Sequence, residues 1–184
     1  MNLSKVATRY AESFLNDVIE KGLLEQISEE VDFVLSTIKA NSKLDRFLQN
    51  PVIKSEIKKS VLNQIFTNRI SDNALKFLDF VVDKNRVDIL VQILQKFIEL
   101  KDDYLGIVRL DVKSAFPFSD ETKNLLIKKF ENLFNKKIEA DFSVDEKLIG
   151  GFVVKFKDTI YDASIKHQLE RLKQNFITGS LSLN

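Results

Sequence analysis

The sequence predicts a mainly α-helical protein, with a six-helix bundle in residues 1–105 followed by a small α+β module in residues 106–184. Apolar residues recur at the three- and four-residue spacing of amphipathic helices through the first part. After Gly106 the spacing changes to the two-residue repeat of strands. The five glycines and two prolines fall between the periodic segments and mark where those segments end.

The first three predicted helices occupy the segment before Pro51. The first helix covers residues 4–21, with Ser4 as a suitable N-cap and Gly22 as its stop. The second ends near Asn41. The third is short and ends at Asn50, because the residue before a proline is pushed out of the helical region. The apolar face of the first helix consists of Val6, Ala7, Tyr10, Ala11, Phe14, Leu15, Val18 and Ile19.

Three further apolar stripes predict the remaining helices of the bundle. They consist of Ile57, Val61, Leu62, Ile65 and Phe66; of Ala74, Leu75, Phe77, Leu78, Val81 and Val82; and of Ile89, Leu90, Ile93, Leu94, Phe97 and Ile98. The connections between the helices are short and polar. Short connections favour antiparallel neighbours, so the six helices are expected to form one bundle.

The α+β module is predicted from a change of period and from its helix caps. Val108, Leu110 and Val112 alternate with charged residues, which is typical of a strand with one wet face. A helix follows from Ser119, with an acidic first turn and an inner face of Leu125, Leu126, Phe130, Leu133 and Phe134. A second strand contains Ile138, Ala140, Phe142 and Val144, and a third covers residues 152 to about 157 after the tight turn at Gly150-Gly151.

The last predicted helix begins near Asp162, which serves as its N-cap. Its apolar residues share one stripe, which is expected to be buried. They are Ile165, Leu169, Leu172 and Phe176.

Composition excludes several classes of function. The formal net charge is +1, and both parts of the chain are close to neutral, so neither predicts binding to nucleic acid. The chain has no cysteine, which rules out disulfides and Cys-ligated zinc. The N-terminus lacks the apolar stretch of a signal peptide, and no segment approaches the ~20 apolar residues of a membrane helix. A cytoplasmic protein is expected, with membrane association only through partners.

A search for catalytic or cofactor-binding residues predicts none. Asp162, Ser164 and His167 can be written as a hydrolase triad, but helical spacing makes Ser164 and His167 neighbours on one exposed face, without oxyanion donors. With one histidine and no cysteine, a metal site would need carboxylates alone, and the acidic pairs read as solvated runs. Gly150-Gly151 precedes a strand and lacks the Lys-Ser/Thr of a phosphate loop.

Surplus apolar surface suggests an interaction module. At 100° per residue, the apolar positions of the first and fifth helices each sweep roughly 220°, whereas facing a core needs only about 100°. Some of this surplus could bind a partner. The alternative is that these helices are central in the bundle, since the sixth helix sweeps roughly 200° by the same count.

Four motifs, in this order, resemble the delta subunits of bacterial F-type ATP synthases and the related mitochondrial oligomycin-sensitivity-conferring protein. They are Ala7-Thr8-Arg9-Tyr10-Ala11-Glu12-Ser13-Phe14; Asn50-Pro51; Asn85-Arg86; and Leu148-Ile149-Gly150-Gly151 followed by Lys157-Asp158 and Asp162-Ala163-Ser164. The resemblance spans residues 4 to about 177. The chain departs from the family pattern at Ser13, Val87 and Lys157, where Ala, a basic residue and Gly are usual.

The resemblance implies a non-catalytic stator subunit of the peripheral stalk. In similar proteins the N-terminal bundle binds N-terminal helices of alpha subunits on the catalytic head, and the C-terminal module binds the b subunits. The complex couples proton flow to ATP synthesis at the cytoplasmic face of the bacterial cell membrane. Two alternatives are a helical scaffold unrelated to ATP synthase and a small hydrolase using Ser164 and His167.

The resemblance also places the alpha-binding groove between the first and fifth helices. The interface residues it implies are Arg9, Tyr10, Phe14, Phe77 and Val81. Tyr10 and Phe14 could equally be bundle core, because they lie four residues apart on one helix face. Structural roles are expected for another set of residues, namely a helix-ending turn at Asn85, backbone geometry at Gly150 and Gly151, and a cap at Asp162.

Overall fold

The structure is a computed structural model that describes residues 3–157 and 159–179, and side chains within residues 4–157 and 159–177. Asp158 of the Lys157-Asp158 motif therefore lies outside the described residues. The chain divides into two compact units, one up to Tyr104 and one from Leu105 onward. Its described part is mainly helical with one four-stranded sheet, which confirms the prediction of a mainly α protein.

The first unit is built from helices joined by short turns. They are α1 (Leu3–Glu20), α2 (Leu24–Ala40), α3 (Ser42–Gln49), α4 (Ser55–Phe66), α5 (Asp72–Asp83) and α6 (Leu90–Leu105), with a 3-10 turn at Val87–Ile89 before α6. Gly22, at φ 67°, ends α1, and the N–H of Leu23 reaches back to the carbonyl of Val18 at 3.0 Å. This pattern is the Schellman ending that glycine favours.

Side-chain caps fix the ends of two other helices. The Asn41 side chain accepts hydrogen bonds from the N–H groups of Lys43 and Leu44 at the start of α3. The Ser71 hydroxyl accepts one from Ala74 at the start of α5. Both residues are of the type that favours N-cap positions.

The core of the first unit is one cluster that draws buried residues from every helix named above. Its fully buried large side chains include Ile27, Leu62, Phe66, Ile93 and Phe97. Burying one such side chain stabilises a fold by about 1.5–3 kcal/mol, so this cluster is the main source of stability in the unit.

The second unit contains β1 (Ile107–Ser114), α7 (Asp120–Phe134), β2 (Lys137–Val144), β3 (Phe152–Phe156), β4 (Thr159–Asp162) and α8 (Ile165–Gly179). The sheet order is β2-β1-β3-β4. β1 and β2 are parallel and are joined by α7, whereas the β1–β3 and β3–β4 pairs are antiparallel. The buried core is small and consists of Val108, Leu110, Val112, Ile138 and Val154.

The end of the chain differs from the sequence prediction. Residues 159–162 form a fourth strand, in which Tyr161 pairs with Val154 of β3. Because these residues pair with β3, α8 begins at Ile165 and not near Asp162.

The predicted burial of the last helix is also wrong. Ile165, Leu169, Leu172 and Phe176 are 43%, 58%, 54% and 72% exposed. On α7, Leu125 and Leu133 are exposed as well, whereas Leu126, Phe130 and Phe134 pack against the core. Helical periodicity identifies an apolar face but does not show whether another element covers it.

Candidate functional site

A groove lies between α1 and α5 on the surface of the first unit, and it is called the aromatic groove below. Its cavity measures about 380 Å³. The residues that line it are Tyr10, Ser13, Phe14 and Asp17 of α1, Lys21 directly after α1, and Asn73, Lys76, Phe77 and Phe80 of α5.

The floor of the aromatic groove is made of contacting rings. Phe14 and Phe77 stack with ring centroids 3.8 Å apart and planes only 5° apart. Tyr10 and Phe80 contact each other at 5.9 Å in a tilted arrangement. Below the floor, Phe14 is 5.1 Å from Phe97 in the core. Aromatic pairs at these distances hold each other in place, so the floor is preformed.

Polar groups surround this floor. Lys21 and Asp17 form an ion pair of 2.7 Å at one end, and each side chain is about half exposed. Lys84 lies over the Phe80 ring, with its Nζ 5.5 Å from the centroid. An apolar floor with a polar rim is the usual anatomy of a protein-binding surface.

Ion pairs join α5 to α4 at the surface. Lys59 of α4 contacts Asp83 at 2.9 Å and Asp79 at 3.7 Å. The hydrogen bond to Asp83 raises the pKa of Lys59 above its ordinary value. These ion pairs lie on the α4 side of α5, whereas Phe77 and Phe80 face α1, where they contact Phe14 and Tyr10.

The predicted interface residues fall in three kinds of place. Tyr10, Phe14 and Phe77 line the aromatic groove. Arg9 is exposed next to Tyr10 on α1 but does not line the aromatic groove. Val81 is fully buried and belongs to the core of the unit.

The sequence left open whether Phe14 belongs to the core of the bundle or to its binding surface. Phe14 is buried with only 5% of its surface exposed, yet its ring forms part of the groove floor. It is therefore both a core residue and the support of the groove.

Sequence reasoning missed Phe80. This side chain is 46% exposed and is the most accessible ring of the groove. It lies three residues after Phe77, so the two share one helix face. That spacing was the signal that could have identified it.

The turn at Asn85 ends α5. Asn85 adopts the left-handed conformation with φ 53°, its N–H reaches the Val82 carbonyl, and the N–H of Arg86 reaches the Val81 carbonyl. This is again a Schellman ending, in which the left-handed position is usually occupied by Gly and sometimes by Asn. The Asn85 side chain also accepts a 2.8 Å hydrogen bond from the Ser55 hydroxyl, which joins the turn to α4.

Gly150 and Gly151 lie where the backbone of the second unit is tightly packed. Gly151 has φ +79°, and a Cβ there would meet the Ala163 carbonyl oxygen and the Cα of Ser164. The Gly150 carbonyl accepts a hydrogen bond from the N–H of Ile165 at 3.0 Å. The two glycines thus connect the start of β3 to the start of α8.

Asp162 and Ser164 form the polar link before α8. The Ser164 N–H donates to Asp162 at 2.8 Å, and the Ser164 hydroxyl accepts the N–H of His167 at 3.2 Å. The pKa of Asp162 is lowered most by a hydrogen bond with the side chain of Ser164, and further by the hydrogen bond with the Ser164 backbone. Ser164 therefore holds the position of N-cap, and Asp162 stabilises the turn that precedes it.

The same hydrogen bonds use Asp162 and Ser164, two of the three residues of the hydrolase alternative, to form the turn before α8. Ser164 is almost fully buried, and its hydroxyl is committed to the start of α8. Among the described residues, no group of three or more His, Asp or Glu side chains is placed to hold a metal ion. Every helix in the described part of the chain is too short or too polar to span a lipid bilayer.

Comparison with known proteins identifies relatives along nearly the whole chain. A family profile described as "ATP synthase delta (OSCP) subunit" matches residues 6–176. The "ATP synthase subunit delta" of Chlorobaculum tepidum is 33% identical over 177 residues, 96% of this chain and 98% of that protein. The protein of the same name from Chlorobium phaeovibrioides is 37% identical over 169 residues, 92% of this chain and 93% of that protein.

A solved structure shares the fold. A chain in the cryo-EM structure of the Toxoplasma gondii mitochondrial ATP synthase hexamer superposes with a TM-score of 0.68 at 18% sequence identity. The match covers 93% of this chain and 97% of that chain.

Proposed function

The chain belongs to the ATP synthase delta (OSCP) subunit family, and on that premise we propose that it is a non-catalytic stator subunit of a proton-translocating F-type ATP synthase. In this role the helices of residues 1–105 form a six-helix bundle that binds the N-terminal helices of alpha subunits on the catalytic head. Residues 106–184 bind the b subunits of the peripheral stalk. The subunit lies at the cytoplasmic face of the bacterial membrane and reaches that membrane only through the complex.

The observation that carries the proposal is the aromatic groove. Its α1 side runs from Tyr10 to Lys21, which is about 16 Å at 1.5 Å per residue. This length matches a partner helix of about three turns. An amphipathic helix would place its apolar side on the Phe77 and Phe80 rings and its polar side toward Asp17 and Lys76.

The mechanical role explains why such a groove needs no reactive groups. Rotation of the central stalk would drag the catalytic head with it unless the head were tied to the membrane sector. A nanomolar contact corresponds to about −12 kcal/mol, which an interface of ~800 Å² per side can supply. The subunit therefore contributes adhesion and stiffness, and the bond chemistry belongs to its partners.

Exposed apolar side chains support a partner for the second unit as well. Phe116, Leu133, Ile149 and Phe176 are each more than 70% exposed. Leu133 borders an apolar depression between α7 and the β3–β4 hairpin, and a contiguous apolar surface of this kind favours burial against another protein.

Calorimetric titration of the full chain with a synthetic peptide tests the proposal. The peptide is the N-terminal segment of the alpha subunit from the same organism. We expect sub-micromolar binding, accompanied by a gain of helix in circular dichroism. Phe80→Ala should weaken binding at least tenfold, about 1.4 kcal/mol, because it removes an exposed ring of the groove.

The matched control is Val52→Ala, which changes an 86% exposed side chain of the same unit that does not line the groove. It should leave the affinity unchanged. If a folded chain does not bind the peptide, the stator proposal fails and an unrelated helical scaffold becomes the better interpretation.

A further inference from the structure

A second apolar depression lies on the sheet of the second unit, and it is called the trough below. It lies between α7 and the β3–β4 hairpin and measures about 700 Å³. Val154, Phe156 and Tyr161 line it on the sheet side, and Phe130 and Leu133 line it on the α7 side. Tyr161 is 64% exposed and Leu133 is 73% exposed, so the trough is open in this structure.

The trough exists because one helix cannot cover the whole sheet. α7 connects β1 to β2 and packs mainly on β2, and it reaches β3 through the contact of the Phe134 ring with the Phe156 ring. The same face continues across β3 and β4, since Val154 pairs with both Val112 and Tyr161. A sheet face of this kind is normally covered by a second helix.

α8 begins at one end of the trough. Only Ala163 and Ser164 separate it from β4, and the Ala163 N–H donates to the Phe152 carbonyl at 2.9 Å. Phe152 is the first residue of β3 and lines the trough at that end. A helix running back from this point, antiparallel to β4, would lie along the length of the trough.

The apolar stripe of α8 has the dimensions that the trough requires. Ile165 and Phe176, its outermost members, lie eleven residues apart, or about 16 Å along a helix. β3, with five residues, provides about 13 Å of floor. The stripe and the trough are both apolar and both exposed, and they belong to one unit.

The opposite face of α8 suits solvent. His167, Glu170 and Gln174 lie on the side away from the stripe at 100° per residue. A helix docked through its stripe would therefore leave these polar side chains in water. This division of faces is what a helix covering one side of a sheet needs.

We propose that α8 is a strap that turns where it begins, after the tightly packed Ala163 and Ser164, and closes over the trough of its own chain. Closure gives up the hydrogen bond from the Ile165 N–H to the Gly150 carbonyl. Closure removes the stripe and the trough from water together, which is the driving force. It adds a second helix beside α7 on the same sheet face. The closed strap also hides the trough from any other helix, so a partner that uses this face must first displace α8.

Distance measurement between two spin labels tests the strap in the free, full-length chain. The chain has no cysteine, so Lys128→Cys on α7 and Glu170→Cys on α8 provide two unique labelling sites. Both side chains are exposed, and neither belongs to the trough or the stripe. We expect a short-distance population of the kind that neighbouring helices give, whose axes lie about 8–10 Å apart.

The double substitution Leu169→Asp with Leu172→Asp should remove the short population, because it places two carboxylates on the stripe. Arg171→Asp is the matched control on the outer side of α8 and should leave the short population in place. Circular dichroism checks that each variant keeps its helix content.

Three results would overturn the proposal. One is a single long distance in the parent chain. Another is a short population that survives the double substitution. The third is a short distance between chains that each carry only one label, since this would show that a second copy fills the trough.

Discussion

At the scale of single residues, Gly151 is subject to two independent constraints. Its φ of +79° lies in the region that L-residues avoid, and a Cβ would meet backbone atoms of Ala163 and Ser164. The first constraint alone costs about 1–2 kcal/mol for a residue with a side chain. The second constraint is a steric clash between the added Cβ and backbone atoms of Ala163 and Ser164. Backbone atoms cannot move aside as the end of a flexible side chain can.

Gly151→Ala is therefore expected to destabilise the second unit by more than Gly106→Ala. Gly106 also has a positive φ, of +65°, but a Cβ there would meet nothing within 4 Å. The comparison isolates the steric cost, since both changes share the conformational one. Urea unfolding followed by circular dichroism measures both, and equal losses would show that the close approach to Ala163 is unimportant.

Asp162 gives the second unit a pH-dependent contribution to stability. Hydrogen bonds from Ser164 lower the pKa of Asp162 in the folded chain. A carboxyl whose pKa is lower in the folded state contributes stability above its ordinary pKa, about 3.9, and this contribution is lost as the pH falls through the folded value.

Asp162→Asn should therefore lower the urea midpoint at pH 7, and the difference from the parent should shrink below about pH 4. Glu146→Gln, an exposed acidic residue in a turn of the same unit, serves as the control. A difference that stays constant across this range would mean that the Ser164 contacts do not depend on the charge of Asp162.

At the scale of elements, α1 and α5 both line the aromatic groove. The rings they contribute differ in burial, so one ring mainly stabilises the unit and the other is available for binding. Phe14 is buried and touches both Phe77 and Phe97. Phe80 contacts Tyr10 but remains 46% exposed. The first ring is thus part of the core, and the second is part of the surface.

Phe14→Ala is expected to destabilise the first unit by about 3–5 kcal/mol, the usual cost of emptying a buried aromatic site. Phe80→Ala should cost much less, because its ring is already half in water. Chemical denaturation of both variants measures the contrast. Equal losses would show that Phe80 supports the fold as strongly as Phe14, and peptide binding by Phe80→Ala would then need a stability correction.

The elements also show what the sequence could and could not predict. The helices of the first unit were predictable because each has a strong apolar period and a clear stop, such as Gly22 or Pro51. β4 was not, since its four residues are all exposed and its strand character comes from pairing with β3. The exposure of α8 was missed because amphipathic character does not reveal which surface lies opposite.

The candidate site was predictable in part for a related reason. Tyr10, Phe14 and Phe77 were identified from a family resemblance and all line the groove. Phe80 was overlooked because it fell outside the apolar stripe that marked α5. Periodicity identifies residues that share the buried face of a helix, and Phe80 is not on that face of α5. Only its three-residue spacing from Phe77 could have identified Phe80.

At the scale of the whole molecule, the two units differ in how much core each possesses. The first has a cluster to which every one of its helices contributes. In the described part of the second unit, the core cluster holds only five buried apolar residues, and the trough and the α8 stripe are left in water. Since apolar burial is the main favourable term in folding, the second unit should be the less stable of the two.

Heating the full chain in a calorimeter is therefore expected to give two transitions, with the second unit unfolding at the lower temperature. Gly151→Ala should shift the lower transition alone, and Phe14→Ala should shift the upper one, because each residue belongs to the core or backbone of one unit. For units of about 80–100 residues, a loss of 1 kcal/mol corresponds to roughly 4–8 °C. A single transition that moves equally in both variants would contradict the independence of the two cores and would require that they unfold as one cooperative body.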